Sequence, residues 1–176
     1  TALRLKSINS ANLAIAVLRK SDFESDCFVK YFGKQNKAGK DKVLENLEKY
    51  LNSIKDGDLT IVFKCNDPNC LENTGMYTAP NLAKMEGYSG VVIYGCPAFF
   101  AAENKRQFEY LIHEPLHSLF PGFRDPPLEG KSLEDMFGEY AKTNPGGTLI
   151  TPDSYALFLS CLSAGASSSP APSTKL

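Results

Sequence analysis

The chain has 176 residues, of which 43% are hydrophobic and 22% are charged, enough for one domain that buries its own hydrophobic core. Its 19 Lys and Arg residues nearly balance its 20 Asp and Glu residues, which argues against a disordered chain and a nucleic-acid partner. No apolar run approaches the roughly 20 residues that a membrane-spanning helix needs, so no membrane association is expected.

Two amphipathic helices are predicted in the first third of the chain. Residues 2–20 place apolar side chains such as Leu5 and Ile15 at a helical period. Residues 40–54 place Val43 and its apolar neighbours on one face and charged residues on the other. The charged face is expected to contact solvent.

A small sheet is predicted next, followed by further helices. β-Branched and aromatic runs indicate three strands, at residues 59–65, 75–78 and 90–94. Helical spacing returns afterwards, at residues 104–119, at residues 132–142, and in a last helix that begins at Thr151 and Pro152.

The composition changes sharply after Leu162, where Ser, Ala, Gly and Pro dominate. Such a segment has little apolar surface to bury. The sequence therefore predicts a single folded domain over residues 1–162 and a flexible tail over residues 163–176.

The five cysteines favour a secreted, disulfide-bonded protein. Cys65 and Cys70 bracket a turn-forming insert, and a zinc knuckle built on this pair is the alternative. An odd number of cysteines leaves one to remain free or to pair with another molecule.

The only two histidines, His113 and His117, enclose Glu114 in a His-Glu-x-x-His motif. On a helix, residues four apart lie on one face, so both imidazoles can bind one zinc ion. Glu114 then lies beside the metal, where it can take a proton from a water molecule and deliver it to a leaving amine. The motif predicts amide hydrolysis, against the simpler alternative of two structural histidines on a buried helix.

Two features of this motif leave its geometry open. Pro115 lies inside it and removes a helical hydrogen bond, at a cost of ~3 kcal/mol in an undisturbed helix, so either the helix kinks or the site is imperfect. A catalytic zinc also takes three protein ligands, and the third here must be a carboxylate or a thiolate. Spacing does not choose among the downstream acids, which are Asp125, Glu129, Glu134, Asp135, Glu139 and Asp153.

Residues 59–162 resemble the deuterolysin and peptidyl-Lys metalloendopeptidase family, the aspzincins. The zinc motif alone would indicate only a superfamily, and its flanking segments make the resemblance specific. These segments are Cys65-Asn66-Asp67-Pro68 with Cys70, Tyr77-Thr78-Ala79-Pro80, residues 92–100, residues 133–138, and Pro152-Asp153-Ser154-Tyr155-Ala156-Leu157-Phe158.

The resemblance implies one zinc per chain, held by His113, His117 and Asp135, with Glu114 as general base. It also implies that Asp153 and Tyr155 bind substrate, and that Asp153 selects a Lys after the scissile bond, since a partly desolvated carboxylate favours a cation. The alternative for Asp153 is an acid that the helix dipole favours in a first turn.

The chain departs from the family pattern at three places. The spacing from His117 to Asp135 is longer than in the family, which keeps Asp125 as the alternative third ligand. Gly138 replaces the family's oxyanion-stabilising Tyr, so Tyr140 is the candidate for that role. The family's N-terminal cysteine is absent; by similarity Cys70 is expected to pair with Cys96, and a pairing of Cys65 with Cys27 would leave Cys161 unpaired, but the sequence does not fix the connectivity.

The sequence thus predicts an α+β, zincin-like metalloprotease with N-terminal helices, a small twisted sheet, a His-Glu-x-x-His active-site helix and C-terminal helices. The expected protein is a secreted, monomeric zinc endopeptidase that acts on proteins or peptides. The rival is a catalytically weak or inactive aspzincin-like protein that binds zinc or a host partner. Pro115 and Gly138 favour this rival, whereas the intact Glu114 argues against it.

Overall fold

The computed structural model describes residues 2–20, 25–55, 57, 59–64, 67–72, 74–126 and 132–167. Within these residues the helices are α1 (Ala2–Leu18), α2 (Asp26–Phe32), α3 (Lys37–Lys55), α4 (Pro80–Met85), α5 (Pro97–Ala101), α6 (Asn104–Leu119), α7 (Leu133–Thr143), α8 (Pro145–Thr148) and α9 (Pro152–Ser167). The strands are β1 (Leu59–Phe63), β2 (Met76–Tyr77) and β3 (Val91–Gly95). This arrangement confirms the predicted α+β class with a small sheet.

The three described strands form one sheet in the order β1-β3-β2. The central strand β3 is buried along its whole length, as its run of apolar residues predicts. Strand β1 pairs with β3 in parallel, with Leu59 opposite Val91, and β2 pairs with β3 antiparallel, with Tyr77 opposite Tyr94. The short strand β2 therefore lies at one edge of the sheet.

The main hydrophobic core lies among the helices rather than beside the sheet. It joins buried side chains of α1, α2, α3, α6 and α9. Aromatic rings dominate its centre, where Phe32 makes edge-to-face contacts with Tyr155 and Phe158. A second cluster beneath the sheet includes Ile93 and Leu111, and it connects β3 to α6.

The N-terminal helices agree with the prediction in position but not in every buried residue. Helix α1 exposes Leu5 and buries small residues such as Ser7, Ala11 and Ala14, because small side chains let α3 and α9 approach closely. Helix α2, which the sequence analysis missed, begins at the cap residue Ser25, whose side chain accepts a hydrogen bond from the backbone of Phe28.

The helices near the C-terminus differ from the prediction at their ends. Helix α9 continues to Ser167, five residues beyond the boundary predicted at Leu162. The predicted tail therefore begins within helix α9, and its last part, residues 168–176, lies outside the described residues. The short helices α4, α5 and α8 were not predicted, since four to six residues give too little periodicity. None of the described helices is both long and apolar enough to cross a bilayer.

Two disulfides join the described parts of the chain. Cys70 pairs with Cys96, as the family resemblance implies, and this pairing removes Cys70 from the alternative zinc knuckle. Cys27 pairs with Cys161 rather than with Cys65, and this decides a connectivity that the sequence left open. The pairing follows from tertiary packing, because α2 lies against α9 and brings these two residues together. Cys65 lies outside the described residues.

We expect the Cys27–Cys161 disulfide to contribute more stability than the Cys70–Cys96 disulfide. Their sequence separations are 134 and 26 residues, and chain-entropy estimates give about 5 and about 3.5 kcal/mol for closing loops of these lengths. Urea unfolding of the Cys27→Ser/Cys161→Ser and Cys70→Ser/Cys96→Ser variants measures both losses. A larger loss in the second variant would contradict this ranking.

Candidate active site

Helix α6 carries the His-Glu-x-x-His motif at the boundary between the main core and the sheet. Its side chains Phe108, Ile112 and Leu116, spaced four residues apart, pack in the main core. That packing fixes the rotation of the helix about its axis. His113 and His117 each follow one of these core residues, so they lie together on an adjacent face of the helix, with ring centroids 4.8 Å apart.

Three potential ligand atoms converge on this face, from His113, His117 and Asp125. The two Nε2 atoms are 3.1 Å apart, and Asp125 Oδ1 lies 3.4 Å from the first and 3.2 Å from the second. Zinc bonds of 2.0–2.2 Å in a tetrahedral site separate ligand atoms by roughly 3.3 Å. The three atoms therefore have a spacing that fits a zinc site.

Asp125 reaches the histidines because the segment before it is anchored in the core. The buried ring of Phe123 packs against Tyr155, with centroids 5.6 Å apart. The next residue, Arg124, donates its backbone N–H to the carbonyl of Ile150 at 3.0 Å. These two contacts hold the backbone beside α9, so the carboxylate that follows faces α6.

His113 is held from its other side by Asp153, in the first turn of α9. Its Nδ1 lies 2.9 Å from Asp153 Oδ1. A carboxylate at this distance accepts the Nδ1 proton, which leaves the lone pair of a neutral imidazole on Nε2. Asp153 therefore sets the tautomer that a metal ligand needs.

Glu114 lies beside the same three atoms and is mostly buried. Its Oε1 is 3.9 Å from His113 Nε2. Burial raises the pKa of Glu114 to about 7, although the two histidines act in the opposite direction. A carboxylate with a pKa near the working pH can both accept and return a proton.

The negative charges around the two histidines favour positive charge at this place. Burial lowers the pKa of His113, but its hydrogen bond to Asp153 and the negative charges nearby raise it more, so the net direction is upward. The hydrogen bond from His117 is the main reason that the pKa of Asp125 is lowered, against the effect of burial. Asp125 therefore remains ionised and offers a negative ligand.

Asp135, the third ligand that the resemblance implied, lies elsewhere. It is exposed in the first turn of α7, where its Oδ2 accepts a hydrogen bond from Ser132 Oγ at 2.7 Å. Its backbone N–H donates in return to the same hydroxyl, so the residue helps to cap the helix. The structure brings Asp125 to the histidines instead, which is the alternative that the sequence left open.

The two tyrosines assigned to the site also lie away from the histidines. The hydroxyl of Tyr140 accepts a hydrogen bond from Asn144 Nδ2 at 2.9 Å, near the end of α7. Tyr155 is fully buried in the main core, where its hydroxyl donates to the carbonyl of Leu149 and accepts from Asn46. Tyr155 therefore packs in the main core, and its burial does not support the predicted contact with substrate.

A cavity of about 310 Å³ opens beside His113, between α6 and the segment that leads into β2. Gly75 and Tyr110 both line the cavity. Their contact requires a glycine at position 75, because the ring of Tyr110 occupies the space that a Cβ atom would need. The residues that line the cavity are Thr74, Gly75, Met76, Arg106, Glu109, Tyr110, His113, Asp125 and Asp153.

Glu109 and Arg106 are site residues that the sequence analysis missed. Arg106 Nη1 lies 3.2 Å from Glu109 Oε2, whereas Glu109 Oε1 is buried and has no hydrogen-bond partner among the described residues. Glu109 precedes His113 by four residues, so helical periodicity places it on the metal-facing side. That spacing was a usable signal in the sequence.

The structure has the features of a zincin-like metallopeptidase. A small sheet packs on a helix that carries the His-Glu-x-x-His motif, and the carboxylate of Asp125 lies beside the two imidazole rings of that motif. Comparison with protein families finds a match of residues 17–160 to the aspzincin family, described as lysine-specific metallo-endopeptidase. The chain belongs to this family. It is a zinc-dependent metalloendopeptidase, as the sequence predicts.

The structural comparison agrees with this assignment. A zinc peptidase from Grifola frondosa matches with a TM-score of 0.70 at 18% sequence identity, over 93% of this chain and 93% of that one. At this identity the match establishes the shared fold. No curated protein sequence matches the chain.

We expect Asp125→Asn to weaken zinc binding and Asp135→Asn to leave it unchanged. Removal of an outer contact to a metal site costs 10–100-fold in affinity, so loss of a direct ligand should raise the zinc dissociation constant by about 100-fold or more. Competition with a chromophoric chelator measures the constant for both variants. The reverse result would return the third-ligand role to Asp135.

Proposed function

We propose that the chain is a secreted, monomeric endopeptidase that binds zinc through His113, His117 and Asp125 and uses Glu114 as general base. The spacing of the three ligand atoms, 3.1–3.4 Å, carries the proposal. Both disulfides support secretion.

Each residue has a separate part in the proposed reaction. A zinc ion held there would supply Lewis-acid chemistry to the attacking water and the scissile carbonyl. Glu114 accepts a proton from the attacking water and later delivers it to the nitrogen of the leaving amine. Asp153 keeps the proton of His113 on Nδ1 throughout, so its Nε2 remains available as a ligand.

The cavity beside the histidines supports a preference for Lys after the scissile bond. The carboxylates of Glu109 and Asp153 line it together with the guanidinium of Arg106, while Asp125, which also lines it, is assigned to the zinc ion. Glu109 Oε1 is buried without a partner among the described residues, which makes it an acceptor for an entering ammonium group. The family description, lysine-specific, points to the same substrate.

We expect Glu114→Gln to retain zinc and to lose peptide hydrolysis. The amide keeps the shape of the side chain but cannot accept the proton, so kcat should fall by about 10²–10⁴-fold. Hydrolysis of a quenched peptide and the zinc content of the purified protein are the two measurements. Glu139→Gln, a change at an exposed acid paired only with Lys142 within the described structure, is the control. Undiminished turnover in Glu114→Gln would remove Glu114 from the mechanism.

We expect Glu109→Gln to reduce the preference for Lys while the zinc content stays constant. Glu109 contacts none of the three proposed ligand atoms, whereas Asp153→Asn would also break the hydrogen bond to His113. Digestion of a denatured protein of known sequence, with cut sites identified by mass spectrometry, measures the fraction of cuts before Lys. Arg106→Gln is the matched control, and it should keep or increase that fraction. An unchanged profile in Glu109→Gln would contradict this role.

A further inference from the structure

Pro115 leaves one carbonyl of the metal-binding helix without its usual donor. In an α-helix the carbonyl of Leu111 accepts the N–H of residue 115, and proline has no N–H. Helix α6 nevertheless continues from Asn104 to Leu119 with Pro115 inside it. Leu111 is buried, so its carbonyl needs a donor from another part of the chain.

That donor is the hydroxyl of Tyr50 on α3. Its oxygen lies 3.0 Å from the carbonyl oxygen of Leu111, in a hydrogen bond that is itself buried. Tyr50 is completely buried, and burial raises its pKa far above the usual value, although a hydrogen bond with Ser7 acts in the opposite direction. The hydroxyl therefore keeps its proton and acts as a permanent donor.

This hydrogen bond lies next to the residues of the proposed zinc site. Leu111 is two residues before His113, and Pro115 lies between the two histidines. The residue before a proline is sterically disfavoured in the helical region, and that residue here is Glu114. The turn that carries the base and the first ligand therefore lacks one backbone hydrogen bond of a regular helix.

We infer that Tyr50 is a positioning residue for the zinc-binding helix, acting through the Leu111 carbonyl that Pro115 leaves free. It takes the place of the missing backbone donor and keeps His113, Glu114 and His117 on one regular helix. A phenylalanine at position 50 would preserve the ring but leave the buried carbonyl unpaired. The effect on zinc rests on the proposed ligands, whereas the pairing of Tyr50 with Pro115 does not.

A double-mutant cycle tests this pairing, with Tyr50→Phe, Pro115→Ala and the double variant. Alanine restores a backbone N–H at position 115, so the Leu111 carbonyl no longer depends on the hydroxyl. In the natural background we expect Tyr50→Phe to raise both the unfolding equilibrium constant of the metal-free protein and its zinc dissociation constant, each by about tenfold. In the Pro115→Ala background both changes should fall below about threefold.

Tyr155→Phe is the matched control, because it removes a buried tyrosine hydroxyl that donates to Leu149 rather than to α6. Its effect should be the same in both backgrounds. Equal effects of Tyr50→Phe in both backgrounds would overturn the inference. A change in unfolding with no change in zinc affinity would reduce Tyr50 to a structural residue and overturn its positioning role.

Two further outcomes keep the test decisive. If Tyr50→Phe alone does not fold, recovery of folding in the double variant supports the inference, and failure to recover contradicts it. If no variant binds zinc but the unfolding constants are coupled, the proposed metal site fails while the pairing of Tyr50 with Pro115 stands. Chelator competition and urea unfolding provide both readouts without any measurement of peptidase activity.

Discussion

The imidazole of His113 is contacted at both ring nitrogens, and the geometry of the site depends on this. Asp153 on α9 meets Nδ1, while His117 and Asp125 meet Nε2. A ring held on both sides keeps one orientation and one tautomer. Because these partners come from different segments, the site requires α6, α9 and the loop before Asp125 to be in place together.

Packing between α6 and α9 supplies that arrangement. Both helices contribute buried side chains to the main core, and Phe158 lies there with Phe28 and Phe32 of α2. The Cys27–Cys161 disulfide joins α2 to α9 on the same side. The aromatic core therefore holds the acid on α9 at a constant distance from the histidine on α6, which loose loops would not do.

The proline within the motif shows how tertiary contacts offset a local defect. In an isolated helix, Pro115 would remove a hydrogen bond and crowd the preceding turn. In the folded protein, Tyr50 from a helix about 60 residues earlier meets the freed carbonyl of Leu111. Sequence reasoning anticipated a kink or an imperfect site, and the structure shows a continuous helix with a donor from α3.

The amino-acid sequence was sufficient to predict the elements and side chains whose signals are local. Helix α6, with both ends as predicted, and the placement of His113, Glu114 and His117 on one face follow from a 3.6-residue period. The strands of the sheet follow from runs of β-branched and aromatic residues. Motif spacing and flanking segments were enough to indicate an aspzincin, because these features lie within short stretches of chain.

Only the tertiary structure decided which distant residues meet. Asp125 was one of several acids with no spacing to distinguish it, and Phe123 and the Arg124 amide place it beside the histidines. Tyr155 looked like a site residue in its motif, yet the rotation of α9 turns it into the core. The sequence also did not indicate that Cys27 pairs with Cys161 or that Tyr50 donates to the carbonyl of Leu111. These contacts depend on how segments of the chain pack against one another, and no local sequence pattern encodes which side chains from different segments come into contact.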